Sequence, residues 1–140
     1  MNKGILDTNI ILKHIIQDDP VQSKRATELF KDMVAGKYKF YITSITFAEL
    51  VWVLESIYKF TREEICNILK PLFNTDNLDF ENREVLQETL ILYKSLRVDY
   101  ADCYNVCFAR QNGIYEVYSF DKDYEKIRFV NRATGGINNV

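Results

Sequence analysis

Gly4-Ile5-Leu6-Asp7-Thr8-Asn9-Ile10-Ile11-Leu12 opens the chain, and its reading decides the fold. Residues 4–6 read as a short buried strand that ends on an acid. Ile11, Leu12, Ile15 and Ile16 then recur at helical spacing. Asp19-Pro20 is a second helix start, with Asp as cap and Pro at the first helical position. That helix is expected to run through Ala26, Leu29, Phe30 and Met33 to a stop at Gly36. Residues 39–42 read as another strand, and Ser44 as the cap of a helix over 45–58. Strands alternating with helices imply an α/β fold with a parallel sheet covered on both faces. The expectation is a three-layer α/β/α arrangement around a central parallel sheet of four or five strands.

The rest of the chain continues the alternation. Thr61-Arg62-Glu63-Glu64 has the capping-box pattern, so a helix is expected over 63–73. Residues 74–77 are turn-like and 78–80 form a short strand. Asn82 caps a helix whose inner face carries Val85, Leu86, Leu90, Tyr93 and Leu96. A further helix covers 99–112 and is ended by Gly113. A strand follows over 115–120, then a loop or short helix over 121–125, and a last strand over 127–130. One domain over 1–130 and a loose tail over 131–140 complete the organisation.

The chain's 140 residues, 47% of them apolar and 14% aromatic, suffice to bury a compact core. Some of the nine Tyr and nine Phe are candidates for a subunit interface. A net charge of −2 argues against gripping polyanions by bulk electrostatics. It does not exclude nucleic acid, because divalent cations held by carboxylates invert the local charge. Cys66, Cys103 and Cys107 show no CxxC spacing and read as reduced core thiols. The absence of a signal-peptide pattern and of a long apolar run points to a cytoplasmic protein with no membrane segment.

Four acids carry the chemistry. Asp7 and Asp121 each end an apolar run, Asp102 opens a helical stretch, and Glu49 is the single charge between Ile45 and Leu54. An ionised carboxylate in apolar surroundings costs several kcal/mol unless it is paired or coordinates a metal. In open α/β sheets ligands bind beyond the carboxyl ends of the strands, so these four acids are expected to meet at one edge. A hard cation wants such oxygen ligands. It polarises a phosphodiester and lowers the pKa of a bound water without any catalytic His or Cys.

At these residues the chain resembles the PIN-domain ribonucleases. Asp7-Thr8-Asn9 after an apolar strand is similar to their first motif. Ser44 through Leu54, with Ala48-Glu49-Leu50, is similar to the second. Asp99-Tyr100-Ala101-Asp102 leading to Ala109-Arg110 is similar to the third. Ser119-Phe120-Asp121-Lys122-Asp123-Tyr124 is similar to the fourth, where a hydroxyl residue precedes the acid by two. The resemblance covers residues 3 to about 130, and size and layout resemble VapC-type toxins of bacterial toxin–antitoxin pairs. It implies a PIN-like fold and an endoribonuclease dependent on Mg²⁺ or Mn²⁺. It also implies an RNA substrate, a homodimer and inhibition by a small cognate antitoxin protein. Asp7, Glu49, Asp102 and Asp121 then become the metal-binding acids. Asp99 is a helix cap or an extra ligand, and Asp123 an extra ligand or a solvated loop acid. Ser119 and Asn9 are expected to orient the acids by hydrogen bonds.

Other residues have plainer readings. Thr8 starts a helix, His14 is a surface or satisfied side chain, and Phe47 and Trp52 are core or interface. Lys122, Lys126, Arg128 and Arg132 contact RNA phosphates or form a solvated basic face. Two other functions compete with the nuclease. One is an aspartyl-phosphate phosphatase or phosphotransferase with Asp7 as nucleophile, although Asn9 stands where such enzymes carry a second Asp. The other is a non-catalytic RNA-binding module.

Overall fold

A computed structural model describes residues 1–135. It falls into two compact units, Met1–Arg83 and the residues from Glu84 onward. The first unit holds β1 (Asn2–Ile5), α1 (Thr8–Ile16), α2 (Pro20–Val34), β2 (Tyr38–Ile42), α3 (Ser44–Ser56), α4 (Arg62–Leu69) and β3 (Leu78–Phe80). Its three strands form a parallel sheet in the order β1-β2-β3. Gly4 pairs with Phe40 in register, and a Cβ on Gly4 would sit 3.2 Å from the Phe40 ring. Glycine therefore lets the two strands pair with the ring lying across β1.

Local chemistry sets the helix ends of this unit. The Asp19 carboxylate accepts the Gln22 N–H at 3.0 Å, and Pro20 supplies a preset first helical φ. Thr61 and Glu64 form the full capping box expected of them. The helix expected over 63–73 stops sooner, at Leu69. Pro71 cannot donate to an α-helical ladder, so Lys70–Asn74 tightens into a 3-10 turn. The cap of α3 also differs from expectation by one residue. Thr43, not Ser44, accepts the Thr46 N–H, at 3.2 Å, while Ser44 binds Glu81. The core of the unit centres on fully buried Phe47, whose ring lies 5.5 Å from that of Phe73 and 6.2 Å from that of Phe80. Trp52, read with Phe47 as core or interface, is 60% exposed and so lies outside this core.

The second unit holds most of α5 (Arg83–Ser95), then α6 (Tyr100–Gln111), β4 (Glu116–Tyr118), a 3-10 turn over Lys122–Lys126 and β5 (Asn131–Ala133). β4 and β5 pair in parallel, and Asn131 N–H to Tyr115 C=O and Ser119 N–H to Ala133 C=O extend the ladder at both ends. The last strand thus lies at 131–133 and not at 127–130. Ile127 and Val130 are buried, so their apolar pattern reports packing without pairing. Part of the segment expected to be loose is therefore a paired strand, and residues 136–140 of that tail lie outside the described residues. Five strands are present among the described residues, four of them overlapping the expected segments. They pair as sheets of three and two, not as one sheet of four or five. Cys66, Cys103 and Cys107 are buried and outside any disulfide, and burial pushes the Cys107 thiol up to about 11. No helix among the described residues is long and apolar enough to cross a membrane.

Candidate metal centre

Asp102 lies in the first turn of α6, where the positive end of the helix dipole favours an acid. Asp121 and Asp123 lie just beyond the carboxyl end of β4, at the start of the 3-10 turn. Each of these three acids offers an oxygen within 4.8 Å of those of the other two. Asp121 is exposed, and Asp102 and Asp123 are half-buried. Two backbone bonds shape this loop. The Asp121 N–H donates to Ser119 Oγ at 2.9 Å, and the Asp123 N–H donates to Asp121 Oδ1 at 2.9 Å. Ser119 thus orients Asp121 through its main chain and not through its carboxylate. Lys126 pairs with Asp123 at 2.8 Å and neutralises part of the cluster's charge.

Asp102 is held from behind by a relay absent from the sequence reading. The Tyr124 hydroxyl donates to Asp102 Oδ1 at 2.9 Å, and Asn105 Nδ2 donates to the Tyr124 oxygen at 3.2 Å. Tyr124 itself is buried. Asn105 follows Asp102 by three residues on α6, a helical neighbour spacing that marks it as a candidate. Nothing local marks the Tyr124 hydroxyl, since its partner is 22 residues away. The Asp102 carboxyl is pushed above its ordinary range. Burial is the main cause, and the negative charges of Asp121, Asp99 and Asp123 add to it against the lowering effect of Tyr124. A carboxylate whose charge is disfavoured in this way is one that a cation would relieve.

The other sequence-derived candidates are distributed differently. Asp99 occupies the cap position of α6, but its side chain makes no capping bond. Asp7 and Glu49 belong to the first unit. Asp7 caps α1, and its carboxylate accepts the Asn9 N–H at 3.4 Å, so Asn9 acts through its backbone. Asp7, Glu49 and Asp121 are all exposed, which removes the desolvation argument for them. Glu49 points outward because Phe47, Leu50, Val51 and Leu54 take the buried face of α3. The basic residues after Asp121 are partly engaged. Arg132 donates to Glu125 at 3.2 Å and to the Ser119 carbonyl at 3.0 Å, and Lys122 and Arg128 are exposed. Arg110 pairs with Glu88 at 3.0 Å and lies 4.9 Å from the Phe129 ring centre.

All the donors in the cluster are carboxylate oxygens, a set suited to a hard divalent cation and not to a soft metal. The chain is 26% identical over 125 residues to the VapC ribonuclease of Aquifex aeolicus (strain VF5), covering 89% of this chain and 92% of that protein. The family model of the PIN domain matches residues 4–130, a span that includes every acid discussed above. On that match, spanning nearly the whole sequence, the chain belongs to the PIN domain family.

Proposed function

We propose that this chain is a metal-dependent endoribonuclease and the toxin component of a type II toxin–antitoxin pair. The observation that carries the reading is the meeting of Asp102, Asp121 and Asp123 at the end of β4 in a chain of this family. The similarity to a VapC ribonuclease supports the choice of RNA as substrate and of a small antitoxin as protein partner. Mg²⁺ or Mn²⁺ is the proposed ion. A homodimer and a cytoplasmic setting belong to the same reading.

Asp102 and Asp121 are assigned as ligands from the cluster, with Asp123 as a further donor. Asp7 and Glu49 are assigned to the same chemistry from the motifs that contain them. A hard cation bound there supplies positive charge to a scissile phosphodiester and lowers the pKa of an attacking water. The protein's own contribution is orientation. Ser119 and the Asp123 N–H fix the loop that carries Asp121, and Tyr124 holds Asp102.

The test is cleavage of total cellular RNA by the purified chain with Mn²⁺, with Mg²⁺ and with chelator. Cutting that needs a divalent cation and disappears in Asp121→Asn supports the reading. Intact RNA in Mn²⁺, or equal cutting in chelator, overturns it. A transfer of phosphate from a small donor onto Asp7 would point to the phosphotransferase alternative. The toxin role is tested by expressing the chain in a bacterial host. Growth arrest relieved by Asp121→Asn is expected, and unimpeded growth would count against it.

A further inference from the structure

We propose that Tyr124 is a positioning residue that fixes the rotation of the Asp102 carboxylate through its hydroxyl, and that Asn105 directs the proton with which it does so. The role rests on the reading of Asp102 as a metal ligand.

The argument begins with torsional freedom. The terminal torsion of an aspartate is broad, so its oxygens are not aimed by rotamer preference alone. A ligand must be held by a bond from outside. Tyr124 is suited to supply it. Its ring is buried, so the phenol oxygen has little freedom of its own. A phenol has one proton to donate. Asn105 Nδ2 donates to the Tyr124 oxygen at 3.2 Å and occupies it as an acceptor. The single hydroxyl proton is then directed to Asp102 Oδ1, 2.9 Å away. A hydrogen bond to an ionised carboxylate is stronger than a neutral one. The relay runs from α6 through the 3-10 turn and back to α6, so it also ties the loop bearing Asp121 and Asp123 to the helix bearing Asp102.

Phenylalanine would fill the same space without the proton, which separates aiming from packing. The experiment titrates Mn²⁺ into the full chain and reads free Mn²⁺ by its electron paramagnetic resonance signal, alongside the melting temperature without metal. For Tyr124→Phe the Kd for Mn²⁺ should rise at least about tenfold, with the metal-free melting temperature close to that of the unmodified chain. For Asn105→Ala the Kd should rise about threefold, because one supporting bond is lost while Tyr124 keeps its proton. An unchanged Kd in Tyr124→Phe overturns the role of the hydroxyl while leaving the metal site standing. A lowered melting temperature with unchanged Kd does the same and assigns the hydroxyl to stability. If Tyr124→Phe does not fold, the Kd of Asn105→Ala decides, and an unchanged value overturns the proposal. Failure of the unmodified chain to bind Mn²⁺ overturns the metal reading itself and this role with it.

Discussion

The Arg132 guanidinium donates to the main-chain carbonyl of Ser119 at 3.0 Å, two residues ahead of Asp121. Arg132 sits on β5 and Ser119 directly follows β4, so one side chain clamps the strand pair at the point where the acidic loop departs. Its side chain is only 11% exposed, while its ionic partner Glu125 is 57% exposed. The pair with Glu125 is therefore worth little, and the bond to the carbonyl matters more. Arg132→Met keeps the aliphatic stem and removes the clamp. A loss of about 2 kcal/mol in unfolding free energy is expected. Urea denaturation of the two proteins checks it, and equal midpoints would show that the clamp is idle.

Asp7→Asn separates charge from fold. Asp7 caps α1, and asparagine caps a helix about as well as aspartate. The variant should melt within a few degrees of the unmodified chain yet lose most metal affinity and RNA cleavage, because an amide brings no negative charge. Cleavage at the unmodified rate would remove Asp7 from the site. Glu49→Gln should likewise retain the fold, since Glu49 is exposed on α3. Calorimetric Mn²⁺ titration of both variants gives the answer independently of any RNA.

His14 should make the first unit sensitive to pH. It stacks on Phe30 with ring centres 4.1 Å apart, and its Nδ1 lies 3.0 Å from Thr27 Oγ1. Burial pushes its pKa below the ordinary histidine value. The folded state then prefers the neutral ring, and the unfolded chain takes up the proton first. The contribution of His14 is therefore complete above the unfolded pKa of about 6.5. It shrinks as pH falls below that value and is lost once the folded pKa is passed. His14→Phe should flatten the difference in urea midpoint between pH 8 and pH 5. A difference as large as in the unmodified chain would assign it to other groups.

Thr61 tests the capping box of α4. Its hydroxyl accepts the Glu64 N–H at 3.2 Å, and Glu64 Oε1 accepts the Thr61 N–H at 3.0 Å. The second bond lowers the Glu64 pKa. The stabilisation from Glu64 is thus present above its unfolded pKa and lost as pH falls through the lower folded one. Thr61→Ala should cost about 1 kcal/mol at neutral pH. Thermal unfolding followed by circular dichroism would reveal it, and an unshifted transition would contradict the assigned cap.

Much of this was legible because it is local. Asp19-Pro20 and Thr61-Arg62-Glu63-Glu64 act within one helical turn, and both starts formed where their residues stand. The apolar run ahead of Asp7 met its expectation only in part: the strand is Asn2–Ile5, not 4–6, and it is mostly exposed, with Ile5 64% exposed and Leu6 buried just beyond it. The motifs around Asp102 and Asp121 were readable as order and spacing along the chain. Expectations failed where a neighbour in space competed with one in sequence. Ser44 reads as a cap, but Glu81 claims it, and Thr43 takes the helix instead. Residues 127–130 look like a strand, but Ile127 and Val130 are buried while the pairing moves to 131–133.

The sequence by itself determined the alternation of helices and parallel strands, the helix start at Asp19-Pro20 and the capping box at Thr61. All of these depend on residues a few positions apart, whose geometry the backbone dictates. Tertiary structure alone decided that Asp123 joins Asp102 and Asp121, that Glu49 faces solvent, and that a phenol from residue 124 reaches an acid at residue 102. Those outcomes depend on which distant surfaces exclude water from one another, and a linear pattern carries no record of that until the chain has folded.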